Sequence, residues 1–200
     1  MSGLRERQKE QRREAILVAA MALFDLNGYT TTTVEQIAAK AGVSAPTIFN
    51  YFGTKQEILF ALVDRADRIG MADAWTKLDR FDNAADALCA FFSIVVTNEL
   101  KALPLSIWRE LMSATFNTSA SKELIAVHKR LIKDIADILR EMQRRAMLKP
   151  SFDAELVAEI LTDYATQVFA RLVQGDDPDF EAEEAYVRRG VEILVSGLRF

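Results

Sequence analysis

Apolar residues recur three and four positions apart along almost the whole chain of 200 residues. This spacing puts them on one face of a helix. No stretch alternates apolar and polar residues between turn signals, as a half-buried strand would. The sequence therefore predicts an all-α fold of about nine helices. Hydrophobic residues make up 50% of the chain, enough for a sizeable core in a chain of this length.

The cysteine and histidine content excludes several classes of site. The chain has one cysteine, Cys89, and one histidine, His128, so it has neither a disulfide framework nor a Cys/His zinc site. We find no glycine-rich phosphate loop and no catalytic triad spacing, so we predict no catalytic residue, metal or cofactor. Segment 87–98 carries no charge but is too short to span a bilayer. The N-terminus is charged and unlike a secretory signal, so we predict a soluble, cytoplasmic protein without membrane contact.

Charge is distributed unevenly along the chain. Residues 1–55 hold seven Lys and Arg against five Asp and Glu, a net charge of +2. Residues 56–200 hold 18 basic against 24 acidic residues, a net charge of −6. The short helical segments also give way to long ones near this point. We therefore predict two domains, 1–55 and 56–200, with different functions.

Two short helical segments near the N-terminus form a helix-turn-helix pattern. The first covers about 33–40 and the second about 44–51, joined by Ala41-Gly42-Val43. Gly42 supplies the positive φ that a tight corner between helices needs. Ala38 is small enough for the two backbones to approach closely. Such a corner occurs in DNA-binding proteins, but also in plain cores and in protein-docking modules, and the pattern alone leaves these open.

The second helix of the pair has a small, polar outer face. In a major groove, Thr47 and Asn50 could hydrogen-bond base edges, and Ala45 and Pro46 could contact a thymine methyl group. Ser44 is predicted to cap this helix. The side chains that suit phosphate contacts are Thr32, Thr33, Tyr51 and Lys55.

Segment 28–59 resembles the DNA-binding domain of the TetR (tetracycline-repressor) family of bacterial regulators. The matching residues are Gly28-Tyr29, Thr32-Thr33-Val34, Ile37-Ala38, Ala41-Gly42-Val43-Ser44, Thr47-Ile48-Phe49, Tyr51-Phe52, Lys55 and Ile58-Leu59. The family commonly has Tyr where this chain has Phe49 and often His where it has Tyr51, and both positions stay aromatic. The resemblance implies a transcriptional repressor that binds a double-stranded DNA operator, with Phe49 on the DNA-binding surface.

By the same resemblance, the remaining helices would form a ligand-binding and dimerisation domain for a small, largely apolar effector. Candidate ligand contacts are the aromatic and Met residues of the middle helices and the one histidine: Trp75, Phe92, Trp108, Met112, Phe116, His128, Tyr164 and Phe169. An aromatic stripe at helical spacing is also typical of a plain core. His128 lies on an apolar stripe, so it is either a core residue satisfied by a neighbouring oxygen or an anchor for a polar group of the ligand.

The resemblance further implies a homodimer that packs through the last two helices, which would make the operator a near-palindrome. Gly190 and Gly197 lie seven residues apart on the last of these helices. Glycine inside a helix lowers its stability, which suggests a closely packed neighbour. The basic residues of the N-terminal segment are Arg5, Arg7, Lys9, Arg12 and Arg13. They form either a solvated helix face or an arm that reaches phosphates or the minor groove.

Overall fold

The computed structural model of the chain describes residues 2–117, 122–175 and 179–198, and all regular structure in these ranges is helical, which confirms the all-α prediction. The side chains of residues 2, 110, 113–117 and 122–124 lie outside this description. The helices are α1 (Ser2–Asn27), α2 (Val34–Ala41), α3 (Ala45–Phe52), α4 (Lys55–Lys77), α5 (Ala84–Ala102), α6 (Leu105–Asn117), α7 (Lys122–Arg144), α8 (Ala154–Gln174) and α9 (Phe180–Leu198). None of them, over the part described, is long and apolar enough to cross a bilayer.

Local signals set the ends of the helix-turn-helix pair. Thr33 and Gln36 form a reciprocal capping box at the start of α2, and the Ser44 hydroxyl accepts the Thr47 backbone N–H at the start of α3. Both helices therefore begin one residue later than predicted, because Thr33 and Ser44 occupy the cap positions. Gly42 ends α2 in the left-handed conformation, with φ 68° and ψ 32°. A side chain at that position would be strained.

The core consists of two apolar clusters that share helix α4. The first cluster joins α1, α2, α3 and the first half of α4 to α6 and the C-terminal part of α8. The second joins the second half of α4 to α5, α7, α9 and the start of α8. Ile58 and Leu59 of α4 pack in the first cluster and Met71 in the second. The division at residue 55 stays a prediction, and the packing makes α4 a continuous rod between the two clusters.

Helices α8 and α9 run antiparallel. The Tyr164 hydroxyl donates a hydrogen bond to the Tyr186 carbonyl at 3.0 Å, and further along α8 the Arg171 guanidinium pairs with Glu183 at 3.1 Å. Gly190 faces Tyr164, and a Cβ at Gly190 would overlap the tyrosine ring. The closely packed neighbour that the sequence suggested for Gly190 is therefore Tyr164 of the same chain. This corrects the sequence analysis, which explained the glycine by dimer packing. A Cβ at Gly197, by contrast, would meet no atom within 4 Å.

Candidate nucleic-acid interface and ligand cavity

Helix α3 turns its apolar side inward and its polar side to solvent. Ile48 and Phe52 are buried in the first cluster. Asn50 is exposed, and Phe49 keeps 50% of its surface accessible. The remaining α3-surface residues are Ser44 and Pro46, which are exposed, and Ala45, Thr47 and Tyr51, which are half-buried. The outer face expected from the sequence is therefore open to a partner.

The start of α3 is ordered by its own hydroxyl groups. Ser44 Oγ and Thr47 Oγ1 lie 2.8 Å apart, and Ser44 Oγ also accepts the Thr47 N–H at 3.3 Å. These bonds fix the rotamers of two side chains on the outer face, so less conformational entropy is lost when they meet a partner. The exposed Thr33 at the start of α2 is held by its capping box. The N-termini of α2 and α3 both carry the partial positive charge that favours phosphate.

The structure corrects the predicted phosphate roles of Thr32 and Lys55. Thr32 is only 1% exposed, and its hydroxyl donates to the carbonyls of Leu23 and Gly28. The Lys55 ammonium donates to the carbonyls of Tyr29 at 2.7 Å and Thr32 at 2.8 Å. It also lies 4.3 Å from the centre of the Tyr29 ring. Thr32 therefore holds the α1–α2 loop against the end of α1, and Lys55 holds the same loop against α4, instead of reaching outward.

The basic N-terminal segment is the exposed beginning of α1. Arg5, Arg7, Lys9 and Arg12 are exposed. Arg13 lies over the Phe52 ring, 5.3 Å from its centre, and is 3.8 Å from Glu10. This contact joins the segment to α3, and DNA contact by the arm stays a prediction.

A cavity of about 650 Å³ lies between α4, α5, α6, α7 and α8. Five of the eight predicted ligand contacts line it: Phe92, Trp108, Met112, His128 and Phe169. Its volume is that of a drug-sized ligand site. The walls come from both apolar clusters, with Val63 and Trp108 from the first and Phe91 and Ile135 from the second.

Trp75 and Tyr164 do not belong to this cavity, which corrects two of the predicted contacts. Trp75 packs at the edge of the second cluster, and Tyr164 stacks on Tyr186 with ring centres 5.9 Å apart. Both were chosen as aromatic residues of the middle helices, but the residue type does not show which neighbour a side chain meets. The side chain of Phe116 lies outside the described part of the structure.

His128 lies at the rim of the cavity, so it is not the core histidine of one of our two interpretations. Its side chain is 40% exposed, and Nε2 is 3.6 Å from a carboxylate oxygen of Asp163 on α8. The other interpretation, an anchor for a polar ligand group, stays a prediction.

Sequence reasoning missed two carboxyl groups on the cavity wall. Asp67 of α4 is 2% exposed and is hydrogen-bonded to Glu99 of α5. Arg130 of α7 approaches Asp67 with Nη2 at 3.2 Å. Burial raises the pKa of Asp67 from 3.8 to about 6, and burial together with the neighbouring Asp67 raises the pKa of Glu99 well above its usual value. The sequence does contain a signal for Asp67, because this residue interrupts an apolar stripe four residues after Val63 and four before Met71.

A family model for bacterial regulatory proteins of the tetR family matches residues 16–62, from α1 into α4. Over these residues the chain belongs to the TetR family. The HTH-type transcriptional regulator HbdR of Aromatoleum sp. (strain CIB) is 53% identical to this chain over 51 residues, which cover 26% of the chain and 22% of HbdR. The chain thus matches only about a fifth of the length of that relative. UidR of Escherichia coli (strain K12) is 23% identical over 194 residues, covering 93% of this chain and 92% of UidR.

Solved structures of TetR-family proteins share the fold over nearly the whole chain. FadR of Thermus thermophilus, a TetR-family repressor in complex with lauroyl-CoA, superimposes with a TM-score of 0.75 at 21% identity, covering 94% of this chain and 95% of FadR. FadR of Bacillus subtilis, in complex with stearoyl-CoA, gives a TM-score of 0.66 at 21% identity, with coverage of 93% and 99%. Identity this low shows the common fold, and the ligands named are those of the two FadR proteins.

Proposed function

We propose that this protein is a homodimeric, DNA-binding transcriptional repressor of the cytoplasm, released from a near-palindromic operator by a small, largely apolar effector. One observation carries the proposal: α4 packs against the helix-turn-helix with one half and lines the cavity with the other. Ile58 and Leu59 contact the first cluster, while Val63 and Asp67 lie on the cavity wall. A ligand in the cavity therefore touches the helix on which the DNA-binding surface rests.

The DNA-binding surface is the outer face of α3 with the N-terminus of α2. Thr47 and Asn50 would contact base edges, with Ala45 and Pro46 against apolar base atoms. Ser44, Thr33, Tyr51 and Phe49 would lie along the phosphate backbone. The proposed surface excludes Thr32 and Lys55, whose polar atoms are used inside the domain.

The dimer would form through the exposed apolar face of α8 and α9. Leu156 and Ile160 lie one turn apart on α8 and are 54% and 45% exposed, and Ile193 of α9 is 73% exposed. Because α8 and α9 are antiparallel, Ile160 and Ile193 lie at neighbouring levels. Gly197, which has open space at its Cβ position, would let a partner helix approach closely. A twofold axis through this face would set the spacing of the two α3 helices on DNA.

The effector would act by favouring one of two positions of α4. An apolar body would fill the space among Phe92, Trp108 and Phe169. The bound acyl-CoA in the two FadR structures supports an effector with an apolar body. A ligand moves such an equilibrium only by its difference in affinity for the two states, and about 1.4 kcal/mol of difference is tenfold.

The recognition surface is tested with T47A/N50A. Duplexes enriched by the wild-type protein from a random-sequence library serve as the probe, and affinity is measured by fluorescence anisotropy. We expect at least about a tenfold loss of affinity, because two base contacts are removed, with little change in melting temperature. The control S93A/T97A changes two exposed side chains of α5 and should bind as the wild type does.

Two results would contradict the proposal. Equal binding by T47A/N50A would exclude α3 as the recognition helix. A wild-type protein that enriches no inverted repeat and whose binding to duplexes does not weaken with salt would be a protein-docking module, because phosphate contacts make DNA affinity fall steeply with salt.

A further inference from the structure

On the side formed by α4 and α5, the cavity wall is apolar except where Asp67 and Glu99 meet. Asp67 is almost fully buried. Glu99 is surrounded by protein atoms and still keeps part of its surface accessible, because that surface faces the cavity. The pair lies between the two apolar clusters, since Val63 and Leu103 belong to the first and Val95 to the second. Any ligand that fills the cavity therefore contacts Glu99.

The guanidinium of Arg130, which lies next to Asp67, interacts with several carboxylates at once. Arg130 pairs with Asp64, lies 3.2 Å from Asp67 and lies 3.7 Å from Asp134. Arg68 binds Asp64 at 2.7 Å, and Arg68 and Lys133 both lie close enough to act on the charge of Asp134. Within the described ranges, Glu99 has no cationic partner, and its carboxyl bonds to Asp67 alone. The cluster therefore carries more acidic groups than cations.

The opposite wall also carries acidic groups. Helix α7 contributes His128 and Lys129, and α8 contributes Glu159 and Asp163. Among the described residues of this wall, Lys129 lies with the two carboxylates of Glu159 and Asp163. Helix α6 lines the cavity with Trp108, Leu111 and Met112, and its Arg109 is turned away to the carbonyls of Val173 and Gly175. Both walls thus favour a positive group in the cavity over a negative one.

Without a ligand, a bound proton supplies the positive charge at Asp67 and Glu99. Burial raises the pKa of Asp67 to about 6 and raises the pKa of Glu99 well above its usual range, so the pair retains a proton to higher pH than free carboxyl groups do. Two carboxylates this close in a buried site are not both ionised unless a cation joins them. An ammonium group has three N–H donors and can bond to both carboxylates at once.

We propose that the effector is an apolar molecule with a protonated amine, and that its ammonium group binds Glu99 and Asp67 in place of the proton they share. The charges balance, because the ammonium enters with its own proton and the shared proton leaves to solvent. The indole of Trp108 lies beside this point, with Nε1 donating to the Glu99 backbone carbonyl at 3.1 Å. This inference rests on the proposed function, in which the cavity holds the effector.

Three ligands with similar apolar chains distinguish a cationic effector from a neutral and from an anionic one. They are decylammonium, decanol and decanoate, each used below its micelle concentration. Binding to the wild-type protein is followed by calorimetry and by tryptophan fluorescence, to which Trp108 on the cavity wall contributes. We expect decylammonium to bind at least about tenfold more tightly than decanol, with decanoate weakest. Decanol or decanoate binding as tightly as decylammonium would overturn the proposal, and tightest binding by decanoate would indicate an acyl-type effector.

The proposal predicts how the affinity for decylammonium changes with pH. Binding of the ammonium releases the shared proton, so affinity should increase between about pH 6 and about pH 8, where the alkylamine stays protonated. Calorimetry in two buffers of different ionisation enthalpy should report close to one proton released per ligand bound. Proton release of zero, or affinity that falls over this range, would overturn the proposal without the need for any variant.

The variant E99Q keeps the size of the side chain and removes its charge. We expect E99Q to bind decylammonium and decanol equally, while the control D82N, at an exposed carboxyl outside the cavity lining, keeps the preference. An unchanged preference in E99Q would overturn the proposal. Enrichment of duplexes by the wild type is scored separately: duplex binding without amine binding refutes only this inference, whereas no duplex binding refutes the proposed function.

Discussion

The double substitution D67N/E99Q removes two buried ionisable groups while preserving their size and their ability to hydrogen-bond each other. In the wild-type protein, the pKa of Asp67 is raised from 3.8 to about 6, and that of Glu99 moves in the same direction. The unfolded chain therefore loses these protons at lower pH than the folded chain does. Arg130 keeps Asp64 and Asp134 as partners in the variant.

The direction in which the free energy of unfolding changes with pH follows from the number of protons bound by the folded and the unfolded chain. Between the unfolded and folded pKa values, the folded protein binds more protons, so its free energy of unfolding decreases as the pH rises. The stabilising contribution of the pair is complete below about pH 4 and is lost as the pH rises through about 6. For Asp67 alone, the difference between 3.8 and about 6 corresponds to roughly 3 kcal/mol, at about 1.4 kcal/mol per pH unit. Glu99 adds in the same direction.

Urea unfolding of the wild type and D67N/E99Q, at one protein concentration from about pH 4 to about pH 8, measures this contribution. We expect the wild type to lose roughly 3 kcal/mol or more relative to the variant over this range. The exposed E159Q control should show little relative change at any pH. A difference between wild type and D67N/E99Q that is constant with pH, or that favours the wild type as the pH rises, would refute our account of the pair.

Two further predictions concern Lys55, which packs beside the helix-turn-helix, and the proposed dimer interface. K55M leaves the carbonyls of Tyr29, Thr30 and Thr32 without the ammonium that now binds them, and should lower the free energy of unfolding by about 1–3 kcal/mol in urea. The exposed K40M is its control, and an equal effect of the two would contradict the role given to Lys55. I193E should convert the dimer to monomers in analytical ultracentrifugation, because it puts a charge in the apolar face of α9. I69E, at an exposed isoleucine of α4, should stay dimeric, and a dimeric I193E would refute the proposed interface.

The helix-turn-helix could be predicted from the sequence because its signals are local. Thr33 and Ser44 cap helices that begin one residue later, and Gly42 marks the one turn between them. The inward positions of α3 follow from helical spacing, so the exposed positions of Asn50 and Phe49 follow as well. Each of these depends on residues within about one turn of helix.

The lining of the cavity was predicted only in part. Periodicity identified apolar stripes and so included Phe92, Trp108 and Phe169, which line the cavity. The prediction also included the aromatic residues Trp75 and Tyr164, which face other neighbours, because neither residue type nor helical spacing shows which helix a side chain packs against. His128 was placed on such a stripe, yet it lies at the rim next to Asp163.

The order of the helices, their caps and the corner around Gly42 were determined by the sequence, because each is an interaction between residues close together in the chain. Tertiary packing alone decided that Lys55 binds carbonyls more than twenty residues away and that the ring of Tyr164 occupies the space beside Gly190. It also brought Asp67, Glu99 and Arg130 from three helices to one place. Their pKa values and the charge of the cavity depend on distances between helices, and periodicity within one helix carries no information about those distances.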